Sequence, residues 1–200
     1  MPPLRGKLAS ILAGAGLYAL TLVAWTQPWF LIQLQSGAEL SVAGDVAAPA
    51  LSALALAGLA LIAALSIAGP FFRVVLGALG VAIGALIVVS AVLAIIDPIS
   101  ASVAVITDAT GVSGDDSLRA LVASAPESAW PWLTVVIGSL SIFVAVAVLV
   151  NGRSWPGSAR KYQAVRLEPA DGEHVAGQAS EHSAVDDWDA LSDGSDPTSR

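Results

Sequence analysis

The chain has 200 residues, of which 56% are hydrophobic and 12% charged. This excludes an ordinary soluble domain, where apolar residues make up about 45–50% and charged ones about 25%. Its net charge of −7 belongs to one end: residues 168–200 carry nine acids and one base, a sum of −8, which leaves +1 for residues 1–167. The absence of cysteine removes disulfides, thiolate metal sites and cysteine nucleophiles.

A hydrocarbon core about 30 Å thick is crossed by about 20 mostly apolar residues in helical form. After a short basic leader, residues 1–7 with Arg5 and Lys7, the first such window runs over residues 8–26. Its apolar run of about 18 residues exceeds the ~7–15 of a secretory h-region, and no small-x-small cleavage site follows. It is expected to remain as a spanning helix. Residues 27–48 form a first loop. Within it Leu31-Ile32-Gln33-Leu34-Gln35 alternates, Ser36-Gly37-Ala38 has turn chemistry, and Glu39-Leu40-Ser41-Val42 resumes the alternation. That pattern predicts a β-hairpin resting on the membrane surface.

The second window spans residues 49–68 and the third residues 74–96, joined by a tight turn over residues 69–73 that contains Arg73. The second loop, residues 97–131, predicts a strand over Ile99–Thr107. It also predicts a short helix capped by Asp115-Asp116-Ser117 and running to about Ala125, with Leu118, Leu121 and Val122 on one face and Pro126 as its stop. The fourth window is residues 132–150. No window has a charged residue in its interior, and lipid leaves no backbone group unsatisfied, so all four are expected to be helices despite their Val and Ile content.

Residues 151–200 divide in two. Up to Val165-Arg166-Leu167 there are four bases and no acid, which suits anionic headgroups. From Glu168 onward the composition is that of a disordered tail. Val185-Asp186-Asp187-Trp188-Asp189-Ala190-Leu191 is either a docking motif for a basic cytosolic partner or a solvated stretch that contains a Trp.

Seven bases (Arg5, Lys7, Arg73, Arg153, Arg160, Lys161 and Arg166) fall at the two termini and the short turn, while the two longer loops hold only Arg119. The positive-inside rule then places both termini in the cytoplasm and the longer loops outside. The fold class expected is all-α: a membrane protein with a four-transmembrane-helix bundle, a small extracytoplasmic β-hairpin and short helix, and a disordered C-terminal tail.

Small residues recur at packing intervals: Gly80/Gly84 with Gly77, Ala53/Ala57, Ala60/Ala64/Ala68, and Ser10/Gly14. They suit either packing within one bundle or a homo-oligomer joined through the third helix. Trp25, Trp29, Trp130 and Trp132 cluster at the outer boundary. Two readings stand for them. They are a headgroup anchoring belt, or, with Pro28, Pro131 and Asp97-Pro98, they line a pocket for an aromatic molecule. Arg153, Trp155, Arg160 and Tyr162 form the corresponding inner-face anchor.

Chemistry is sparse. The only histidines, His174 and His182, lie in the acidic tail, and no hydrolase, Walker, zincin or dinucleotide fingerprint is present. The midplane offers Tyr18, Thr21, Ser66, Ser90, Ser139 and Ser141 but nothing charged, which argues against a proton- or ion-coupled transporter. No catalytic residue, cofactor, metal or nucleic-acid partner is expected. The expected partners are the lipid bilayer, a second copy of the chain, and a cytosolic protein reached through the tail.

Several motifs in order carry a family resemblance. Gln27-Pro28-Trp29 ends the first helix, Ala48-Pro49-Ala50-Leu51 opens the second, and Asp97-Pro98 closes the third. Trp130-Pro131-Trp132 opens the fourth, and Arg153-Ser154-Trp155-Pro156-Gly157 follows it, with Arg160-Lys161-Tyr162 just beyond. This arrangement resembles the tryptophan-associated transmembrane proteins encoded within tryptophan-biosynthesis operons of high-GC Gram-positive bacteria. The resemblance covers residues 5–163 and leaves the tail outside. Trp29-Phe30 fits the family's paired aromatics, whereas Lys161 separates Arg160 from Tyr162 where the family has Arg-Tyr, which argues against a strict role for that Arg. The family has no established activity. The resemblance implies a non-enzymatic accessory or binding protein of the plasma membrane linked to tryptophan biosynthesis or aromatic-compound handling. The alternatives are a scaffold acting through its tail and an uncoupled facilitator.

Overall fold

The computed structural model describes residues 3–151. In chain order it has α1 (Pro3–Trp25), β1 (Pro28–Leu34), β2 (Glu39–Ala43), the single turn α2 (Gly44–Ala47), α3 (Ala50–Ile67) and α4 (Pro70–Ile96). Then come α5 (Pro98–Ala101), α6 (Val103–Thr110), α7 (Asp115–Leu121), β3 (Val122–Ser124) and α8 (Trp130–Asn151). Four of these helices, α1, α3, α4 and α8, are long and apolar enough to cross a membrane.

Each long helix packs on two others, α1 and α4 both lying against α3 and α8. The tightest seam joins α4 to α8, and glycine makes it possible. A Cβ on Gly84 would lie 2.8 Å from Ile142 Cγ1 and 3.1 Å from the Gly138 carbonyl, and one on Gly80 would lie 3.1 Å from Ala145 Cβ. Close backbone approach of this kind gains dispersion contact where lipid supplies no hydrophobic drive. The Gly80/Gly84 face is therefore occupied within the chain. Gly14 of the Ser10/Gly14 pair is also used internally, against Ile62. The second helix differs from expectation: Ala53, Ala57 and Ala60 face outward, and the buried face is Leu51, Ala55, Gly58, Leu61, Ile62 and Leu65.

The third long helix starts at Pro70 instead of Val74. Gly69 is extended, Pro70 occupies the first helical position, and the Arg73 N–H donates to Gly69 O at 3.0 Å. Proline is pre-set for that position because its missing N–H would have had no partner there. Arg73, expected in a turn, is thus in the first turn of α4 and only 3% exposed. The fourth helix begins two residues earlier than expected, at Trp130.

At the end of the bundle where α1 stops and α8 starts, the two longer loops fold into a cap. Its sheet has the order β2-β1-β3, antiparallel throughout. The hairpin is present, with β1 beginning at Pro28 where Leu31 was expected. Its turn closes through Gly37, whose φ of 85° admits glycine readily, and through Leu34 N–H to Ala38 O at 2.9 Å.

Two expectations for the second loop are corrected. Ile99–Thr107 is helical, in α5 and α6. Asp97 accepts the Ser100 N–H at 3.1 Å and Pro98 takes the first helical position, so the cap residue overrides the β propensity of Ile and Val. The short helix after Asp115 stops at Leu121. Its expected last turn becomes β3, which satisfies the open edge of β1, with the Gln35 N–H bonding Leu121 O at 2.8 Å. The basic segment, the tail and the inner-face group Arg153, Trp155, Arg160 and Tyr162 lie outside the described residues.

Candidate functional site

The cap is organised around Trp29. Its position follows from the chain: α1 ends at Trp25, Thr26 and Gln27 close a turn onto Val23 O and Ala24 O, and Pro28 starts β1. That reversal folds the Trp29 indole back over the end of α1, where its Nε1–H donates to Ala24 O at 2.9 Å. The ring is 0% exposed and stands edge-on to Phe30, with centroids 6.4 Å apart. Gly44 makes room for it, since a Cβ there would sit 2.7 Å from Trp29 Nε1 and 2.8 Å from Trp25 O. Val42, Ile32, Ile106 and Leu118 complete the packing from β2, β1, α6 and α7.

The other three boundary tryptophans are placed differently. Trp25 is half-buried, with its ring N–H enclosed and without a hydrogen-bond partner among the described residues. Trp130 is half-buried at the start of α8. Trp132 is 53% exposed and donates its Nε1–H to Glu127 Oε1 at 2.8 Å. Of the four indoles, Trp29 alone lines the cleft described next.

What the cap does hold is a cleft of about 120 Å³ between β1 and the strand-like segment before α8. It is lined by Pro28, Trp29, Phe30, Leu31, Pro126, Glu127 and Ser128. Its walls are tied across: Leu31 N–H to Pro126 O at 3.0 Å, Ser128 N–H to Trp29 O at 2.8 Å, and Ser128 Oγ to Pro28 O at 2.7 Å. Five of the seven lining residues are apolar; the polar two are Glu127, whose carboxylate accepts the Trp132 Nε1–H, and Ser128, whose hydroxyl donates to Pro28 O. Of the sequence-predicted residues, Pro28 and Trp29 meet here and Asp97 does not. Phe30, Leu31, Pro126, Glu127 and Ser128 were not legible as a site, because their approach depends on β1 pairing with a segment about 100 residues away.

Asp97 belongs to a second cluster. It caps α5 and forms an ion pair with Arg119, which also donates Nε–H to Asp115 at 3.0 Å. The Arg119 hydrogen bond, then those from Ser100, hold the Asp97 carboxyl down at about 2. Both acids in turn push the Arg119 guanidinium up. The one base of the cap is thus committed to two carboxylates. The remaining acids, Glu39, Asp45, Asp108, Asp116 and Glu127, give the cap a strongly negative character. No group of three or more potential metal ligands forms among the described residues.

No curated protein and no solved structure matches the chain. A family model does, that of the tryptophan-associated transmembrane proteins, over residues 7–198. The match runs beyond residue 163, where the motif resemblance stopped, and takes in nearly all of the acidic tail. With four spanning helices and a match over most of its length, the chain belongs to the tryptophan-associated transmembrane protein family.

Proposed function

We propose that this is a non-catalytic accessory protein of the plasma membrane in which the cap, facing outward, binds a small neutral aromatic molecule related to tryptophan metabolism. The orientation rests on the bases: Arg73 lies at the end of the bundle away from the cap, and the cap carries Arg119 alone. The observation that carries the ligand class is the composition of the cleft. Pro28, Leu31 and Pro126 supply apolar walls, and Glu127 supplies an acceptor for a ring N–H. An amino acid also needs a partner for its carboxylate, and the only base within reach of the cap's chemistry is held by Asp97 and Asp115. Leaving such a charge unpaired against apolar walls is costly. The cleft therefore suits an indole-like ring better than tryptophan itself.

Equilibrium dialysis of the detergent-purified protein with labelled indole and labelled L-tryptophan tests this. Indole is expected to bind saturably and more tightly than tryptophan, to lose binding in Leu31→Arg, and to weaken in Glu127→Gln. Equal affinity for the two, or no saturable binding of either, overturns the reading. A deletion strain is expected to grow differently from its parent when external tryptophan is withheld.

A second reading is supported by the extent of the family match, which includes Val185–Leu191. There the protein is a scaffold whose acidic tail recruits a basic cytosolic partner. Deleting residues 168–200 should then release that partner from isolated membranes while leaving indole binding unchanged.

A further inference from the structure

Glu127 is the carboxylate of the cleft, and its Oε1 accepts the Nε1–H of Trp132 at 2.8 Å. The acceptor assigned above to a ligand's ring N–H is therefore in use by an indole of the protein itself. That contact is a worked instance of the recognition the cleft is suited to.

The two backbones are held, so a change of partner at Glu127 is a side-chain event. Glu127 pairs with Phe30 in an antiparallel bridge, and the next residue, Ser128, donates its N–H to Trp29 O at 2.8 Å. Trp132 lies in the first turn of α8, where the following residue, Leu133, donates its N–H to Ala129 O at 2.9 Å. Trp132 is not among the residues that line the cleft. Its bond thus engages Oε1 with a group outside the cleft, and a ligand N–H seated inside has to compete with it.

The competition is one a ligand can win. Trp132 is 53% exposed, and an indole released at a membrane boundary finds water and headgroup acceptors for its N–H. A hydrogen bond between exposed groups has little net worth, because water replaces it. The same bond made against apolar walls, away from water, is stronger.

We propose that Trp132 is a latch on the cleft: its indole holds the Glu127 carboxylate until the ring N–H of a ligand displaces it. The latch presupposes the aromatic site proposed above and adds its regulation. It lowers the affinity for a ring that carries an N–H donor and leaves a flat ring without one unaffected. It also converts occupancy of the cleft into a freed Trp132 side chain at the membrane surface.

Benzofuran, which has indole's shape with oxygen in place of the N–H, isolates the effect. Equilibrium dialysis of labelled indole and labelled benzofuran compares the detergent-purified parent with Trp132→Phe. The variant is expected to bind indole about fivefold tighter, the equilibrium worth of one net hydrogen bond, and benzofuran equally well. The chain has six tryptophans, and the Trp132 Nε1–H resonance is assigned by its loss in Trp132→Phe. In the parent, saturating indole should move that resonance to the position of a water-exposed indole, and benzofuran should leave it in place. Unchanged or weaker indole binding by Trp132→Phe overturns the latch while leaving the aromatic site standing, and so does a Trp132 resonance that saturating indole does not move. An equal gain for benzofuran also overturns it, because the effect is then one of ring size. No saturable binding of either ring by either protein overturns the aromatic site and the latch together.

Discussion

Replacing Trp29 with Phe separates a structural role from a membrane-anchoring one. The hydrogen bond from Nε1 to Ala24 O is lost. Ala24 O also accepts the Gln27 N–H at 3.2 Å, so it is not left without a partner. The loss is therefore that of one net hydrogen bond, about 1 kcal/mol, and not the larger penalty of an orphaned carbonyl. The smaller ring leaves part of a 0%-exposed site empty. Full truncation of a buried Trp costs about 3–5 kcal/mol, and a partial void some fraction of that. Together the two effects predict a loss of about 2–3 kcal/mol. Trp132→Phe, at a side chain 53% exposed with its N–H on a surface carboxylate, should cost less than about 1 kcal/mol. Denaturant unfolding of both variants in detergent, followed by hydrogen exchange of the β1 amides, measures the difference. Equal costs for Trp29→Phe and Trp132→Phe would refute the reasoning and favour an interfacial belt of equivalent indoles.

Further expectations follow from the same geometry. Gly84→Ala should lower the unfolding midpoint in detergent, by about 1–3 kcal/mol in stability, because its Cβ meets the α8 backbone at 3.1 Å; Gly16→Ala, with nothing within 4 Å, should stay within about 0.5 kcal/mol. Gly44→Ala should destabilise the cap selectively, seen as faster hydrogen exchange in β1 and β2 with α4 unchanged. Asp97 has its folded pKa lowered to about 2 from the ordinary 3.8, so its ionised form favours the folded cap. That contribution is present above about pH 4 and is lost as pH falls through about 2. Carboxyl carbon NMR should find its midpoint near 2 in the parent and higher in Arg119→Gln, and an unchanged midpoint would count against the ion pair.

The four spanning helices were legible because lipid allows so few alternatives: an uncharged run of the right length has to be helical. Boundaries were less so. Gly69-Pro70 reads as a turn, yet it is a helix start, and the basic Arg73 beyond it reinforced the wrong reading. The hairpin was visible in its alternation. The α5–α6 stretch reads as a strand from its β-branched Ile99, Val103, Val105 and Ile106, yet the local Asp97-Pro98-Ile99-Ser100 cap starts a helix there. β3 could not be read at all, because three residues become a strand only when a neighbouring edge needs them. The burial of Trp29 was hidden for a similar reason. A Trp at the end of a spanning helix signals an interface, and only the reversal at Gln27-Pro28 and the space at Gly44 turn it inward.

The central claim is a four-span protein with its cap outside and both ends inside. The chain has no cysteine, so single cysteines placed at Ser36 in the cap and at Ser158 beyond α8 report sidedness without interference. In intact cells treated with a membrane-impermeant maleimide, Ser36→Cys should label at once and Ser158→Cys only after the membrane is opened. Labelling of Ser158→Cys in intact cells, with Ser36→Cys protected, would contradict the account.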